Sequence, residues 1–247
     1  MSVLSFCLAF YRNQGMLAEQ YRIWAALPDD LKAQIEIIIG DDASPEPAAA
    51  VPRPSGLPPL RIFRLQDVTR PERPPWRQDA IRNRAVDLAR GSWLFLTDMD
   101  HVLPENSLRQ FLKRTDGVDV VYSFQRLDAP DLTPKRDSKG NLHPHPNTYA
   151  MTKARYWKLG GYDEEFCGIY GTDGWYRRML LNSAPFVHLE NIPIVRYSRD
   201  VIPDASTKSR EDRDNARAPG VVNRRLAEKA EQNLKPVVLS IPWELVT

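Results

Sequence analysis

The sequence predicts an α/β fold with a mostly parallel central sheet flanked by helices. Apolar runs at residues 3–11, 35–44 and 92–100 are typical of strands that are buried on both faces. The segments between them space apolar residues as amphipathic helices do. Strand, helix and strand in that order favour a right-handed parallel crossover, and 247 residues suit one domain with a C-terminal extension.

The apolar patterns of buried strands and of amphipathic helices also assign the remaining elements. After the strand at 3–11, a helix is expected over 14–27, where "PDD" ends it. The proline-rich segment 45–59 cannot form a helix or an interior strand, so it is expected to be an extended loop. In chain order, the later elements are a strand at 60–65, a helix at 78–91 ending on Gly91, strands at 92–100 and 118–127, a helix at 172–181 capped by Thr172, a strand at 186–197 and a helix at 223–234.

Charge and cysteine content exclude several classes of protein. The 34 basic and 32 acidic side chains leave a net charge of +2, so no nucleic-acid partner is expected. Cys7 and Cys167 lack the CxxC spacing of zinc or redox sites, which predicts free buried thiols. The apolar run at 3–10 is too short to span a bilayer and lacks signal-peptide features. We expect a cytoplasmic protein without a transmembrane segment, whose apolar C-terminal tail leaves peripheral membrane contact open.

An acid pair follows the strand at 92–100. Asp98 and Asp100, with Met99 between them, lie where the carboxyl end of a parallel strand meets the ligand edge of the sheet. Two carboxylates at this spacing repel each other unless a cation lies between them, and hard oxygen ligands suit Mn²⁺ or Mg²⁺. A paired acid in a surface turn is the alternative. The position indicates a metal site that is open to diphosphate oxygens.

Two further groups of charges lie near the same edge. Asp41 and Asp42 close the second strand, and a carboxylate there can accept a hydrogen bond from the imide N–H of uracil. Arg82 and Arg84 lie on the helix before the acid pair, where guanidinium groups can bind phosphate. A solvated basic helix face is the alternative interpretation of these arginines.

Asp173 lies at the start of a predicted helix. The helix dipole and the free N–H groups of the first turn are expected to keep this carboxylate ionised. An ionised carboxylate beside a sugar site can act as the general base that deprotonates an acceptor hydroxyl. A simple helix cap is the alternative.

Four segments in this order resemble the GT-A-fold nucleotide-sugar glycosyltransferases, close to family 2 and with a galactosyltransferase-like C-terminal segment. They are "LSFCLAFYRN", "IIIGDDAS", "IRNRAVDLARGSWLFLTDMDHVLP" and "GGYDEEFCGIYGTDGWYRR". The resemblance runs from about residue 2 to about residue 197. It implies a GT-A domain at 1–200, with a nucleotide-binding part at 1–103 and an acceptor-binding part at 104–200, and leaves 201–247 as a C-terminal extension or lid.

The resemblance also implies roles for individual residues. Asp173 would be the catalytic base, Asp100 would bind the metal directly, and Asp98 would contact the ribose or the metal. Asp42, with Asp41 as the alternative, would recognise uracil. The substrate-binding and nucleotide-binding set is Phe10, Tyr11, Arg12, Asp41, Asp42, Arg82, Asp98, Met99, Gly161 and Trp175.

The sequence departs from the family pattern at two places. Thr172 replaces the first acid of the pair that ends in the catalytic base, which leaves acceptor binding open. The region where many relatives supply a late metal-binding histidine reads "VRYSRD". The substitutes that the sequence offers are His101 and His188, followed by His143 and His145 in "HPHP".

The leading hypothesis is therefore a metal-dependent, inverting transferase. It would move glucose, galactose or an N-acetyl form from a UDP-sugar to a hydroxyl of a glycan, a lipid-linked or another acceptor. A retaining transferase is one alternative. A nucleotidyltransferase is another, although "AFYRNQGM" lacks the Gly-rich loop that grips a triphosphate. A third is an inactive sugar-nucleotide-binding module. The sequence leaves the oligomeric state open.

Overall fold

The computed structural model describes residues 3–66, 77–115, 119–142, 144–206 and 218–246, which form a mixed sheet of ten strands with helices packed on it. The strands are β1 (Leu4–Phe10), β2 (Ile35–Asp41), β3 (Leu60–Leu65), β4 (Trp93–Thr97), β5 (His101–Val102), β6 (Val121–Asp128), β7 (Thr133–Pro134), β8 (Tyr149–Thr152), β9 (Phe186–Arg196) and β10 (Trp243–Leu245). The helices are α1 (Gln14–Ala25), α2 (Asp29–Lys32), α3 (Gln78–Leu88), α4 (Glu105–Leu112), α5 (Lys153–Lys158), α6 (Asp173–Ser183) and α7 (Pro219–Glu231), with short 3-10 helices at Ala48–Ala50 and Glu164–Phe166.

The strand order reverses at β1. The order across the sheet is β10-β3-β2-β1-β4-β8-β6-β9-β5, with β7 paired to β6. The first four strands are mutually parallel, whereas β8 runs antiparallel to β4 and to β6. The chain therefore builds outward from β1 through β2 to β3 and then returns to the other side of β1 with β4. The predicted α/β class with a central sheet flanked by helices is confirmed; the first four strands are parallel, and the sheet as a whole is mixed.

The apolar runs form strands because both sheet faces are covered. In β1, Leu4, Phe6 and Leu8 pack into the core beneath α1, while Cys7 joins the core on the opposite face against α3. All seven residues of β2 are buried. Alternate residues of a strand point to opposite faces, so a strand covered on both sides must be apolar throughout.

Several predicted boundaries and caps differ from the structure. The third helix ends at Leu88, and Gly91 makes no cap but packs on β1, where a Cβ would lie 2.7 Å from Ser5 Oγ. Thr172 precedes α6 without a side-chain capping hydrogen bond. The second strand ends at Asp41, three residues earlier than predicted, because the Asp41 carboxylate accepts from the Ser44 N–H over 2.7 Å and turns the chain.

The C-terminal residues 218–246 pack on strand β3 and on the segment that precedes α6. Val222 and Leu226 of α7 contact Phe166 in a small apolar cluster. Lys229 forms ion pairs with Asp163 and Glu165, which lie in and beside the second 3-10 helix. Beyond α7, the strand β10 pairs antiparallel with β3. This part of the chain therefore joins the far edge of the sheet to the segment that precedes α6.

A buried arginine ties α3 to β4 and to the segment before β8. Arg82 is 1% exposed, and its Nη2 lies 2.6 Å from Asp98 Oδ1. Its Nη1 donates to Asn147 Oδ1 and to the Tyr162 hydroxyl. A desolvated guanidinium is stable only when its donors are satisfied, so these partners fix each other's positions.

Two predictions about the rest of the chain can be compared with the structure directly. Cys7 and Cys167 are buried and unpaired, as predicted. Among the described residues, no helix combines the length and the apolar character needed to cross a bilayer.

Gly40→Ala is expected to lower the free energy of unfolding by about 1–3 kcal/mol, because overpacking a core strains its neighbours. A Cβ at residue 40 would overlap the Ile81 side chain and lie 2.5 Å from Phe63 Cζ. Urea unfolding measures the change. Gly220→Ala is the control, since a Cβ there meets no atom of the described residues within 4 Å and should be neutral or stabilising by up to about 1 kcal/mol. Equal midpoints for Gly40→Ala and wild type would contradict this packing.

Arg82→Gln is expected to destabilise the fold by about 3 kcal/mol or more, because it leaves the buried side of the Asp98 carboxylate without its cation. The matched control is Arg84→Gln, two residues along the same helix. Arg84 pairs with Asp87 over 3.2 Å at a partly exposed position, so its loss should cost less than about 1 kcal/mol. Urea midpoints that fall equally in both variants would refute a special role for Arg82.

Candidate active site

The residues that follow β1, β2 and β4 meet at one edge of the sheet. Open α/β sheets bind ligands outside the carboxyl ends of the strands, where the strand order reverses. A cavity of about 360 Å³ lies at that point. Seven residues of the predicted site line it: Phe10, Tyr11, Asp42, Asp98, Met99, Asp100 and Asp173.

The two acids that close β2 have different environments. Asp42 lines the cavity and binds Arg77, whose backbone N–H and Nε donate to the carboxylate over 2.8 and 2.6 Å. Asp41 is buried, and its carboxylate accepts from Arg64 Nη1 over 2.9 Å and from N–H groups of the following turn. Asp41 is not one of the described residues that line the cavity. The structure therefore places Asp42 at the cavity and gives Asp41 a role in the turn.

The aromatic pair at the end of β1 forms one side of the cavity. Phe10 is fully buried and Tyr11 is half-buried. Arg12 follows in the left-handed region with φ of 57°, and its guanidinium carbon lies 5.3 Å from the centroid of the Tyr11 ring. Arg12 lies outside the described wall of the cavity. In this conformation Arg12 contacts the Tyr11 ring and not the described cavity wall.

Three side chains hold the Asp98 carboxylate. Its Oδ1 accepts from Gln78 Nε2 over 2.5 Å, from Arg82 Nη2 over 2.6 Å and from Asn147 Nδ2 over 2.8 Å. Arg82 was expected to bind the diphosphate, but its guanidinium is buried, both of its terminal nitrogens donate to protein partners, and it is not part of the described cavity wall. Arg82 positions Asp98 rather than meeting a ligand.

Asp100 is bound by two basic side chains. Its Oδ1 lies 2.8 Å from His101 Nδ1, and its Oδ2 accepts from Arg196 Nε over 3.3 Å. Burial opposes ionisation of Asp100, but the adjacent His101 and Arg196 outweigh it and lower the pKa of this carboxyl below its usual value. Asp100 is therefore a paired carboxylate in this conformation, and the predicted direct contact with a metal would have to compete with Arg196.

A different set of side chains meets the geometric needs of a metal site. Ligand atoms of Asp98, His101 and His145 all lie within 4.8 Å of one another, and the two imidazole rings are 3.8 Å apart between centroids. His101 Nδ1 lies 2.8 Å from Asp100 Oδ1, whereas its Nε2 has no hydrogen-bond partner within the described part of the chain. Burial and then the cationic groups nearby hold the pKa of His145 well below its usual value, so its imidazole is neutral. Neutral imidazole is the form that binds a metal ion.

His188 does not join this cluster. His188 lies on β9 opposite Ser123 of β6. Ser123 is five residues before Asp128, which pairs with Arg196, and five residues of a strand span about 17 Å. The His188 Nδ1 is 3.1 Å from Ser123 Oγ. His188, which the sequence offered as a metal ligand, is thus far from Asp100. His143 lies outside the described residues.

Basic side chains face the acids across the cavity. Arg126 on β6, Lys135 after β7 and Arg196 at the end of β9 line the wall opposite Asp42 and Asp98. Arg196 also lies 3.8 Å from Asp128. The wall can therefore neutralise an anionic ligand at more than one position.

Asp173 lies at the first position of α6 and lines the cavity. Burial and then the negative charge of Asp98 raise its pKa to about 6, although Arg82 opposes this shift. The helix N-terminus was expected to keep this carboxylate ionised, and burial brings its pKa closer to neutrality than the usual aspartate value. A carboxylate with this pKa is mostly ionised at pH 7 and basic enough to take a proton.

Gly161 and Trp175 lie away from this cavity. Gly161 has φ of 70°, and a Cβ there would come within 2.7 Å of Asn83 Oδ1. Its role is to let the turn after α5 pack on α3. Both residues line a second cavity of about 260 Å³ on the other side of Thr172.

Several residues of the site were not predicted from the sequence. They are Gln78, Arg126, Lys135, Asn147 and Arg196, while His145 was given a low rank. Gln78 and Asn147 carry amides with no distinctive spacing, so no sequence signal marks them. Arg196 lies in "VRYSRD", whose departure from the expected histidine was the available signal.

Solved structures with the same fold are glycosyltransferases. The mannosyltransferase PcManGT from Pyrobaculum calidifontis, in complex with GDP-Man and Mn²⁺, has 15% identity and a TM-score of 0.57, over 78% of this chain and 56% of that one. GalNAc-T7 with UDP, GalNAc and Mn²⁺ has 11% identity and a TM-score of 0.58, over 79% and 43%. S. aureus TarS 1–349 in complex with UDP has 15% identity and a TM-score of 0.59, over 91% and 72%. The chain thus spans about half the length of the first two structures.

Sequence comparison identifies the family. No curated protein matches the chain significantly. The profile described as glycosyl transferase family 2 matches residues 21–172, which is more than half of the 247 residues and contains β2 to β8 with the acids that close β2 and β4. Together with the GT-A fold of its structural neighbours, this match shows that the chain is a glycosyltransferase and belongs to glycosyl transferase family 2.

Proposed function

We propose that the chain transfers a hexose from a UDP-sugar to a hydroxyl acceptor with inversion at the anomeric carbon. The observation that carries this proposal is the position of Asp173, a half-buried carboxylate in the same cavity as Asp42, Asp98 and Asp100. An inverting transfer needs a base beside the acceptor hydroxyl and charge stabilisation beside the leaving nucleotide. The cavity has both kinds of group.

The end of β1 and Asp42 would hold the nucleotide base. Phe10 and Tyr11 offer an aromatic edge, and the Asp42 carboxylate can accept the imide N–H of uracil while Arg77 holds it in place. TarS and GalNAc-T7 are structures with UDP, whereas PcManGT is a structure with GDP-Man. A carboxylate can also accept from guanine, so the test below includes both nucleotides.

Asp98, His101 and His145 would hold a divalent cation, with Mn²⁺ favoured over Mg²⁺ because two of the three ligands are imidazoles. The Nε2 of buried His101, which has no hydrogen-bond partner among the described residues, supports this donor set. PcManGT and GalNAc-T7 are structures with Mn²⁺. When bound, the cation would supply positive charge beside the diphosphate.

The chain's own cations would share the work of stabilising the departing UDP. Arg126, Lys135 and Arg196 line the cavity and can donate hydrogen bonds to phosphate oxygens. Arg196 is paired with Asp100, so a bound phosphate would compete with Asp100 for this guanidinium. The leaving charge would thus meet cationic side chains that are in place before the reaction begins.

Asp173 would take the proton of the acceptor hydroxyl. As its carboxylate removes this proton, the hydroxyl oxygen forms a bond to the anomeric carbon, and the bond from that carbon to the UDP oxygen breaks. The proton ends on Asp173 and the electron pair of the broken bond ends on UDP. A single in-line displacement of this kind inverts the anomeric centre.

The central test is UDP release from a panel of UDP-sugars with sugar and alkyl glycoside acceptors, with Mn²⁺ or with EDTA. Acceptor-dependent UDP release that EDTA reduces supports the proposal. Absence of release across the panel with folded protein indicates a binding module. Release of pyrophosphate instead of UDP indicates a nucleotidyltransferase.

His145→Ala is expected to weaken Mn²⁺-assisted UDP binding at least about tenfold, because loss of a metal ligand or its support typically costs 10–100-fold. Isothermal titration calorimetry with UDP or GDP, with and without Mn²⁺, measures this effect. His188→Ala is the matched control, since His188 lies on β9 away from the cluster and should leave binding unchanged. If both variants bind UDP and Mn²⁺ as wild type does, the proposed donor set is incorrect.

The value of kcat/KM should fall about tenfold per pH unit below pH 6 and level off above it, because the active form of Asp173 is deprotonated. Asp173→Asn should abolish transfer yet retain UDP binding in calorimetry. A pH profile that stays flat down to pH 5, or an Asp173→Asn enzyme that turns over normally, would refute the role of this carboxylate.

A further inference from the structure

A second cavity lies between α6, α7 and the turn that contains Gly161. Its volume is about 260 Å³, and its surface is mostly apolar. The apolar side chains that line it come from α6, from α7 and the segment after it, and from the second 3-10 helix: Phe166, Trp175, Met179, Val222, Leu226 and Leu234. No catalytic or nucleotide-binding role proposed above uses this space.

The second cavity shares a wall with the catalytic cavity. Thr172 lines both, and the next residue, Asp173, faces the catalytic side. On α3 the consecutive residues Gln78 and Asp79 divide in the same way, with Gln78 in the catalytic cavity and Asp79 in the second one. A ligand held in the second cavity would therefore lie next to the carboxylate proposed as the base.

Two buried polar groups at this cavity lack partners. Asp79 is 8% exposed, and within the described ranges its carboxylate has no hydrogen bond and no ion pair. The Tyr176 hydroxyl is also buried without a hydrogen-bond partner among the described residues. Unpaired buried polar groups cost free energy, so such a pair beside an empty apolar cavity points to a ligand that supplies polar contacts.

The charges at the rim argue against an anionic ligand. Lys229 is the cation lining this cavity, and it is already paired with Asp163 and with Glu165 Oε2 at 2.8 Å. Asp79 and Asp163 would repel a phosphate or a carboxylate. The rim therefore disfavours an anionic occupant, and the apolar lining favours one with an apolar body and a hydroxyl or similar group.

We propose that this second cavity binds the apolar aglycone of a neutral acceptor whose hydroxyl reaches Asp173. The proposal deepens the transferase function proposed above and rests on it. The aglycone, an aryl ring or an alkyl chain, would pack against Trp175, Met179 and Leu226, while Asp79 and Tyr176 would bind the polar group next to it. Burial and then the charge of Asp173 raise the pKa of Asp79 to about 7, so near neutrality this carboxyl can either donate or accept a hydrogen bond.

The test measures binding of glycosides without any donor present. Phenyl β-glucoside and octyl β-glucoside, the latter below its micelle-forming concentration, are titrated into the full chain and followed by tryptophan fluorescence and calorimetry, with free glucose as reference. At least one of the two glycosides should bind at least tenfold more tightly than free glucose. The aryl and alkyl arms distinguish a ring from a chain as the preferred aglycone.

Variants connect the binding to the cavity. Trp175→Phe should remove most of the fluorescence change, and Leu226→Gln should weaken glycoside binding at least tenfold. The controls are Trp243→Phe and Leu245→Gln on β10, which should leave both readouts unchanged. UDP binding is measured in every variant, so that loss of folding is recognised. If Leu226→Gln does not fold, Trp175→Phe still tests the proposal.

The outcomes separate this proposal from the transferase proposal. Glycosides that bind no better than glucose to protein that still binds UDP would overturn the aglycone site alone. Equal glycoside affinity in wild type, Leu226→Gln and Trp175→Phe would overturn it too. Glycoside binding that needs Leu226, in a protein that releases no UDP from any UDP-sugar, would support the site and refute the transferase function.

Discussion

The ion pair between Arg82 and Asp98 is the constraint on which the rest of the site depends. A guanidinium that is 1% exposed requires partners at its donors, and here they come from β4, from the segment before β8 and from the turn after α5. These three parts of the chain are distant in sequence. Because one buried charge needs them all, the wall of the catalytic cavity forms as a unit, and Asp98 has one allowed position.

The charges in the cavity are arranged so that each acid has a different environment. Asp98 is held by neutral and cationic donors, Asp100 is paired with Arg196, and Asp173 has no such partner and is destabilised by burial. Burial raises the pKa of Asp173, whereas at Asp100 the effect of burial is outweighed by His101 and Arg196 and the pKa is lowered, so these two aspartates have different proton affinities within one cavity. This separation is what allows one carboxylate to stay ionised as a positioning group while another accepts a proton.

The parallel strands and the location of the site were predictable from the sequence, whereas several contacts inside it were not. Strands covered on both faces must be apolar throughout, so β1, β2 and β4 were visible, and the acids that follow them marked the ligand edge. β5 has only two residues and exists because it pairs with β9, almost a hundred residues later. Asn147 and Arg196 reach the acids in the same way, through tertiary pairing that leaves no local periodicity.

The pairing of β10 with β3 has a consequence for handling the protein. Trp243 packs on Phe63, and the Val246 N–H donates to the Ile62 carbonyl, so the outermost parallel strand has no free edge along this stretch. Proteolytic clipping ahead of β10 would uncover amide and carbonyl groups that can recruit a strand from another molecule. Self-association after cleavage is then the expected mode of failure.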